Sequence, residues 1–133
     1  MKHQLPVLLL CCALLPAAPL ASPLGTAVAA HEAGDHARAR ELLLPLAEQG
    51  SIEAAYRLGT LYAFGQGGDV DHARAAQWYE RAARADHHQA ALTLGNMYLS
   101  GLGVPLDQAA ALAWFERAAE IAERRALEVE ECD

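Results

Sequence analysis

Histidine, cysteine and the carboxylates are the residues of this chain that would carry chemistry, and their spacing decides whether they do. His87 and His88 are adjacent, and His31 and His36 lie five positions apart. Neither pair has the one-turn spacing that aims two imidazoles at one ion from a helix face, and no cysteine or carboxylate set completes a tetrahedral site. The cysteines are Cys11, Cys12 and Cys132, so none stands in the body of the chain. No serine sits in a glycine-flanked elbow, and no glycine-rich loop ends in a lysine to cradle phosphate. Glu80-Arg81 and Glu116-Arg117 read as ion pairs on helix surfaces instead of an acid/base pair. The expectation is therefore no catalytic residue, no cofactor and no metal, with solvated histidines.

The elements around these residues must serve another purpose. At 133 residues the chain is one domain in size, with little room for a separate catalytic domain. It opens with Lys2 and an apolar run from Leu5 to Leu20, broken by Pro6, Pro16 and Pro19 and ending in Ala21 and Ser22. That layout predicts a signal peptide over residues 1–21. Cleavage within Ala27-Val28-Ala29 competes with cleavage after Ala21. Leu10 stands where a lipidated Cys11 would need a small residue, so no lipid anchor is expected. The reading is a periplasmic or secreted bacterial protein, not inserted in the membrane after cleavage; a bias to alanine and arginine suits a GC-rich bacterial genome.

The net charge is −7 overall, and −8 once Lys2 is removed with the leader, since nine arginines then stand against seventeen acidic residues. Such a balance argues against nucleic acid and anionic membranes as partners. Cys132 would be the only cysteine left after cleavage, so no internal disulfide would staple the exported chain.

A repeat is the main signal. Residues 54–83 set against 90–119 show fifteen identities in thirty positions at an offset of 36, without a gap. Among them are Leu58/Leu94, Gly59/Gly95, Tyr62/Tyr98, Asp71/Asp107 and Trp78/Trp114. A period of this size marks stacked supersecondary units, each too small to bury its own apolar face. Ala54, Leu58 and Tyr62, and then Ala90, Leu94 and Tyr98, recur every four residues and predict the first helix of each unit. The glycines from Gly65 and from Gly101 break it, and Asp71 or Asp107 caps the second helix, whose apolar stripe is Ala75, Trp78, Tyr79 and Ala82. Gly59 and Gly95 lie inside helices, where glycine costs up to about 1 kcal/mol relative to alanine; close helix contact is the expected compensation. Trp78 and Trp114, repeating beside Tyr79 and Phe115, are expected in the core.

A degenerate third copy precedes these two, because His36-Ala37-Arg38-Ala39 stands 36 residues before His72-Ala73-Arg74-Ala75. His36 and His72 are thus one unit apart, too far to chelate. The first helix of that copy runs from about Pro23 to Ala33, which favours cleavage after Ala21. The units are residues 22–50 as a divergent helix pair, then 51–86 and 87–122, with 123–133 a charged extension expected to fray. The fold class is all-α: a short right-handed α/α solenoid of about three antiparallel helix pairs, expected as a monomer.

The pattern Ala54, Leu58-Gly59, Tyr62, Gly65-Gln66-Gly67, Asp71, Ala75, Trp78-Tyr79 and Ala82-Ala83 resembles the Sel-one-like repeat, a relative of the tetratricopeptide repeat. The second copy fits it with Gly101-Leu102-Gly103-Val104, Asp107, Ala111 and Trp114-Phe115, whereas the first departs at Gly68. The resemblance implies a scaffold or adaptor that binds another protein or peptide on the concave face formed by the first helices. In that geometry Glu53, Tyr56, Thr60 and Phe64 of one unit and Gln89, Asn96 and Ser100 of the next would face the partner. Phe64 is either an exposed anchor or a plug between units. Cysteine-rich relatives imply a penicillin-binding or beta-lactamase-like alternative, but the paired cysteines of those proteins are missing here. A structural or immunity component of an envelope complex is the third reading.

Overall fold

The computed structural model describes residues 22–131. The expected leader, with Cys11 and Cys12, and Cys132 in the tail lie outside the described residues. Within them run six helices and no strand: α1 (Pro23–Glu32), α2 (His36–Glu48), α3 (Ile52–Ala63), α4 (His72–Arg84), α5 (His88–Ser100) and α6 (Gln108–Glu131). They form three antiparallel pairs in a right-handed solenoid, and the extensive contacts join each helix to the next in sequence.

Each helix starts because a side chain satisfies an amide that the helix itself leaves free. Ser22, Asp35, Ser51, Asp71, His87 and Asp107 all accept from the backbone N–H three residues on, at 2.9 to 3.3 Å. The second helix of every pair carries aspartate at this position. The first helices carry Ser22 and Ser51, and then a histidine.

Small residues set the helix separation. Ala39, Ala54, Ala75, Ala82, Ala83, Ala90 and Ala91 are fully buried, with Leu43, Leu58, Leu61, Leu94 and Ile121 between them. A side chain at Gly59 would meet the Tyr79 ring at 3.0 Å and the Ala75 carbonyl at 3.2 Å, and one at Gly95 would meet the Phe115 ring at 2.7 Å. Glycine in mid-helix is therefore the condition for seating the aromatic of the second helix. The turn glycines Gly67 and Gly103 do the same between units: each lies on the first residues of the preceding unit's second helix, at His36-Ala37 and at His72-Ala73.

The departure at Gly68 has a local cause. A Cβ there would run into the guanidinium of Arg40, which donates to the Leu61 carbonyl at 3.0 Å and lies 4.1 Å over the Tyr62 ring. One repeat later Arg40 is replaced by Ala76, and Val104 fills the space. The two positions are coupled across units.

Two expectations are corrected. Trp78 and Trp114 are half-buried at the core margin, each beside a guanidinium, Arg81 at 5.0 Å and Arg84 at 5.9 Å; Tyr79 instead takes the core position, 3% exposed. The C-terminal extension, expected as a frayed, solvated tail, is instead helical to Glu131, though exposed from residue 122 on as expected. Ile121 is buried, and the Asp86 carboxylate accepts from Arg117 and Arg124 at 2.6 Å each, holding the far half of α6 against the α4–α5 turn.

Candidate functional site

The first helices α3 and α5 lie side by side with α4 behind them, and the space they enclose is a groove of about 370 Å³. Five of the seven residues expected on the concave face meet there: Tyr56, Thr60 and Phe64 from α3 and its end, and Asn96 and Ser100 from α5. Tyr79 forms part of the floor, and its hydroxyl donates to Thr60 Oγ1 at 3.1 Å. Thr60 in turn donates to the Tyr56 carbonyl at 3.1 Å, so this wall is a fixed hydroxyl relay. Burial pushes the Tyr79 phenol up from its ordinary range.

Phe64 is 71% exposed at the edge of the groove and so does not plug the space between units. Ala63, Met97 and Leu102 add apolar surface near it, and the lining contains no lysine, arginine or carboxylate. In a chain of net charge −7, this is a neutral and mostly apolar surface bounded by hydroxyl and amide groups.

The other two expected residues stand apart. Glu53 belongs to a smaller adjoining hollow of about 170 Å³ with Val28, His31 and Arg57, connected to the groove through Tyr56 and Thr60. Its carboxylate accepts from Arg57 Nε at 2.6 Å and faces His87 Nε2 at 3.4 Å, so it is already partnered. Gln89 is exposed and lines neither hollow. It sits in the first turn of α5, below Thr93, whose hydroxyl donates to its carbonyl at 2.8 Å.

Thr93, His72 and Leu102 line the groove without having been expected to. Thr93 stands 36 residues after Arg57, which lines the smaller hollow and not the groove, so repeat register did not point to it. His72 and Leu102 come from a helix start and a turn, which a helix-face argument does not reach.

The solvated reading of the histidines is also corrected. His31 and His36 approach to 3.0 Å between Nδ1 atoms, because the short Gly34-Asp35 turn folds the end of α1 onto the start of α2. His88 Nδ1 lies 3.0 Å from the Ala118 carbonyl. His72 Nδ1 is buried without a partner. His87 caps α5 and stacks on Tyr56 at 4.4 Å between ring centroids. Among the described residues no three histidine, cysteine or carboxylate side chains are grouped to hold a metal ion.

The Sel1 repeat family model matches residues 30–51, 52–87 and 88–121, and the chain belongs to that family. Sel1 repeat proteins are generally non-catalytic, protein-interaction scaffolds. No curated protein matches the chain in sequence. Among solved structures it is similar to a Sel1 repeat protein from Oxalobacter formigenes, with 31% identity over 73% of this chain and 40% of that one, TM-score 0.69. It is similar to c5321, a protective antigen with an SLR fold present in uropathogenic Escherichia coli strains, with 34% identity over 63% of this chain and 18% of that one, TM-score 0.62. The Helicobacter pylori cysteine rich protein B shares 26% identity over 69% of each chain, TM-score 0.62. The chain thus spans well under half of the first two relatives. No described helix is long and apolar enough to cross a membrane.

Proposed function

We propose that this chain is an exported adaptor whose groove between α3 and α5 receives an uncharged, apolar segment of a partner protein. One observation carries the reading: Phe64, 71% exposed, stands at the edge of a mostly apolar groove without lysine, arginine or carboxylate, in which Thr60, Thr93, Asn96 and Ser100 add polar atoms. An exposed aromatic beside an apolar concavity is the usual anchor of a protein interface. The hydroxyls and amide of Thr60, Thr93, Asn96 and Ser100 would fix the register of the bound segment. A charged segment would lose its water there without meeting an opposite charge.

Export fits the first helix. α1 begins at Pro23 under the Ser22 cap, so a cut after Ala21 leaves it whole, whereas a cut after Ala29 would remove most of it. Residues 22–50, 51–86 and 87–122 then serve as the three stacking units of a monomeric mature protein, with 123–133 as its charged extension.

Crosslinking in cells followed by affinity purification tests the adaptor reading, comparing wild type with a folded Thr60→Arg, Phe64→Ala, Asn96→Arg variant. A partner captured by wild type and absent from the variant supports it. A partner captured equally by both would remove the groove as the site, and no enrichment with either would reopen the structural and enzymatic readings. Mass measurement of the mature chain tests the cleavage after Ala21.

A further inference from the structure

The cap of α5 differs in kind from those of the other helices. At the equivalent position 36 residues earlier, α3 is capped by Ser51, whose hydroxyl accepts from Ala54 N–H at any ordinary pH. His87 caps α5 by accepting from Ala90 N–H through Nδ1 at 3.1 Å, which only an unprotonated Nδ1 can do. Histidine is the side chain whose charge changes between about pH 5 and 8. Protonation therefore removes the acceptor, and turning the ring over brings a carbon, not a second acceptor, towards Ala90.

The opposite edge of the ring responds in the other sense. Nε2 faces the Glu53 carboxylate at 3.4 Å, and this contact strengthens when the imidazole becomes a cation. Protonation thus exchanges the cap for an ion pair and draws the ring from α5 towards α3. The ring is stacked on Tyr56, interplanar angle 22°, and Tyr56 is a wall of the groove. The charged and titratable groups around it are few. Glu53, Tyr56 and Arg57 face it from α3, with Arg57 already on Glu53. From α4, Tyr79 touches Tyr56 at 5.6 Å. Its chain neighbours are turned away, Asp86 to Arg117 and Arg124 and His88 to the Ala118 carbonyl of α6.

We infer that His87 is a proton-operated latch between α3 and α5: when neutral it caps α5 and holds Tyr56 in the groove wall, and when charged it releases the first turn of α5 and shifts that wall. The loss of the cap is offset because the existing contact of Nε2 with Glu53 strengthens as the other is lost. The consequence for partner binding, weaker capture in acid, rests on the groove being the binding site. The latch itself does not.

The test is made on the mature chain alone by NMR, following the protection of the Ala90 amide from hydrogen exchange, corrected for intrinsic rates, and the Tyr56 ring signals from pH 8 to pH 5. Loss of one cap predicts a fall in Ala90 protection of about fivefold, with a Tyr56 shift on the same titration. His87→Ser, which installs the cap of the preceding unit, and His87→Asn, a second good cap, keep Ala90 protected at both pH values and flatten the Tyr56 curve. Constant Ala90 protection in wild type would overturn the inference. So would an equal loss in either variant that folds, since another group would then be responsible. Failure of the groove to bind any partner, with the Ala90 response intact, would count against the adaptor reading and leave the latch standing.

Discussion

Gly59→Ala puts the packing argument to a quantitative test, because two effects of opposite sign act at one atom. In an exposed helix the substitution would stabilise by about 1 kcal/mol, through propensity alone. Here the new Cβ would lie 3.0 Å from two atoms of the Tyr79 ring and 3.2 Å from the Ala75 carbonyl. The carbonyl belongs to the backbone of α4, and the ring is 3% exposed and tied by its hydroxyl to Thr60. Neither yields without moving α4 or breaking that hydrogen bond. Overpacking of this kind costs roughly 1–3 kcal/mol, and the lost hydrogen bond about 1 kcal/mol. The expected net effect is destabilisation by about 1–3 kcal/mol. In a domain of this size that is a fall in Tm of about 4–18 °C. Calorimetry of wild type, Gly59→Ala, Tyr79→Leu and the double variant measures it, and in the Tyr79→Leu background the alanine should cost much less. A Gly59→Ala protein that melts above wild type would show that propensity dominates and that the glycine does not seat the tyrosine.

Other outcomes follow from the same contacts. Ser51→Ala removes the cap of α3 and should cost about 1 kcal/mol in denaturant titration, whereas Ser51→Asp should not. The Arg124 hydrogen bond, with Arg117 beside it, holds the Asp86 carboxyl below its ordinary value. Its contribution is therefore complete above the ordinary carboxylate range and lost as pH falls through the lowered folded value. Protection of residues 122–131 from hydrogen exchange, corrected for intrinsic rates, should fall in acid and in Asp86→Ala, and an Asp86→Ala protein with unchanged protection would remove the clasp from the account. Burial raises the Tyr79 phenol, so its neutral form favours the fold until pH rises through the raised value; ultraviolet titration should show one tyrosine ionising late, and Tyr79→Phe should abolish that phase. Nitrocefin should not be hydrolysed by the purified mature chain; turnover that survives repurification would favour the beta-lactamase-like reading.

The repeat was legible in the sequence because its determinants are local. A helix with a four-residue apolar stripe, a glycine turn and a capping aspartate each depend on residues within one turn, and stacking copies them at a spacing of 36. Asp71, Asp107, Gly59 and Gly95 could be assigned their tasks on that basis, and Tyr56, Thr60, Phe64, Asn96 and Ser100 reached the groove because register carries one helix face onto the next. What depended on contact between units was not legible. Arg40 and Gly68 are 28 positions apart, and only the stacked fold shows that one excludes a side chain at the other. The histidines looked idle because no local spacing joined them, whereas turns and packing bring His31 onto His36 and His87 onto Tyr56. Trp78 and Tyr79 are both large aromatics on one helix, and their order towards the core follows from the rotation of α4 against α3 and α5. Amino-acid sequence alone determined the repeat, its register and the aspartate caps of the second helices; the choice of which side chains face one another across neighbouring units belonged to tertiary structure, because that choice is made by helix rotation and close packing.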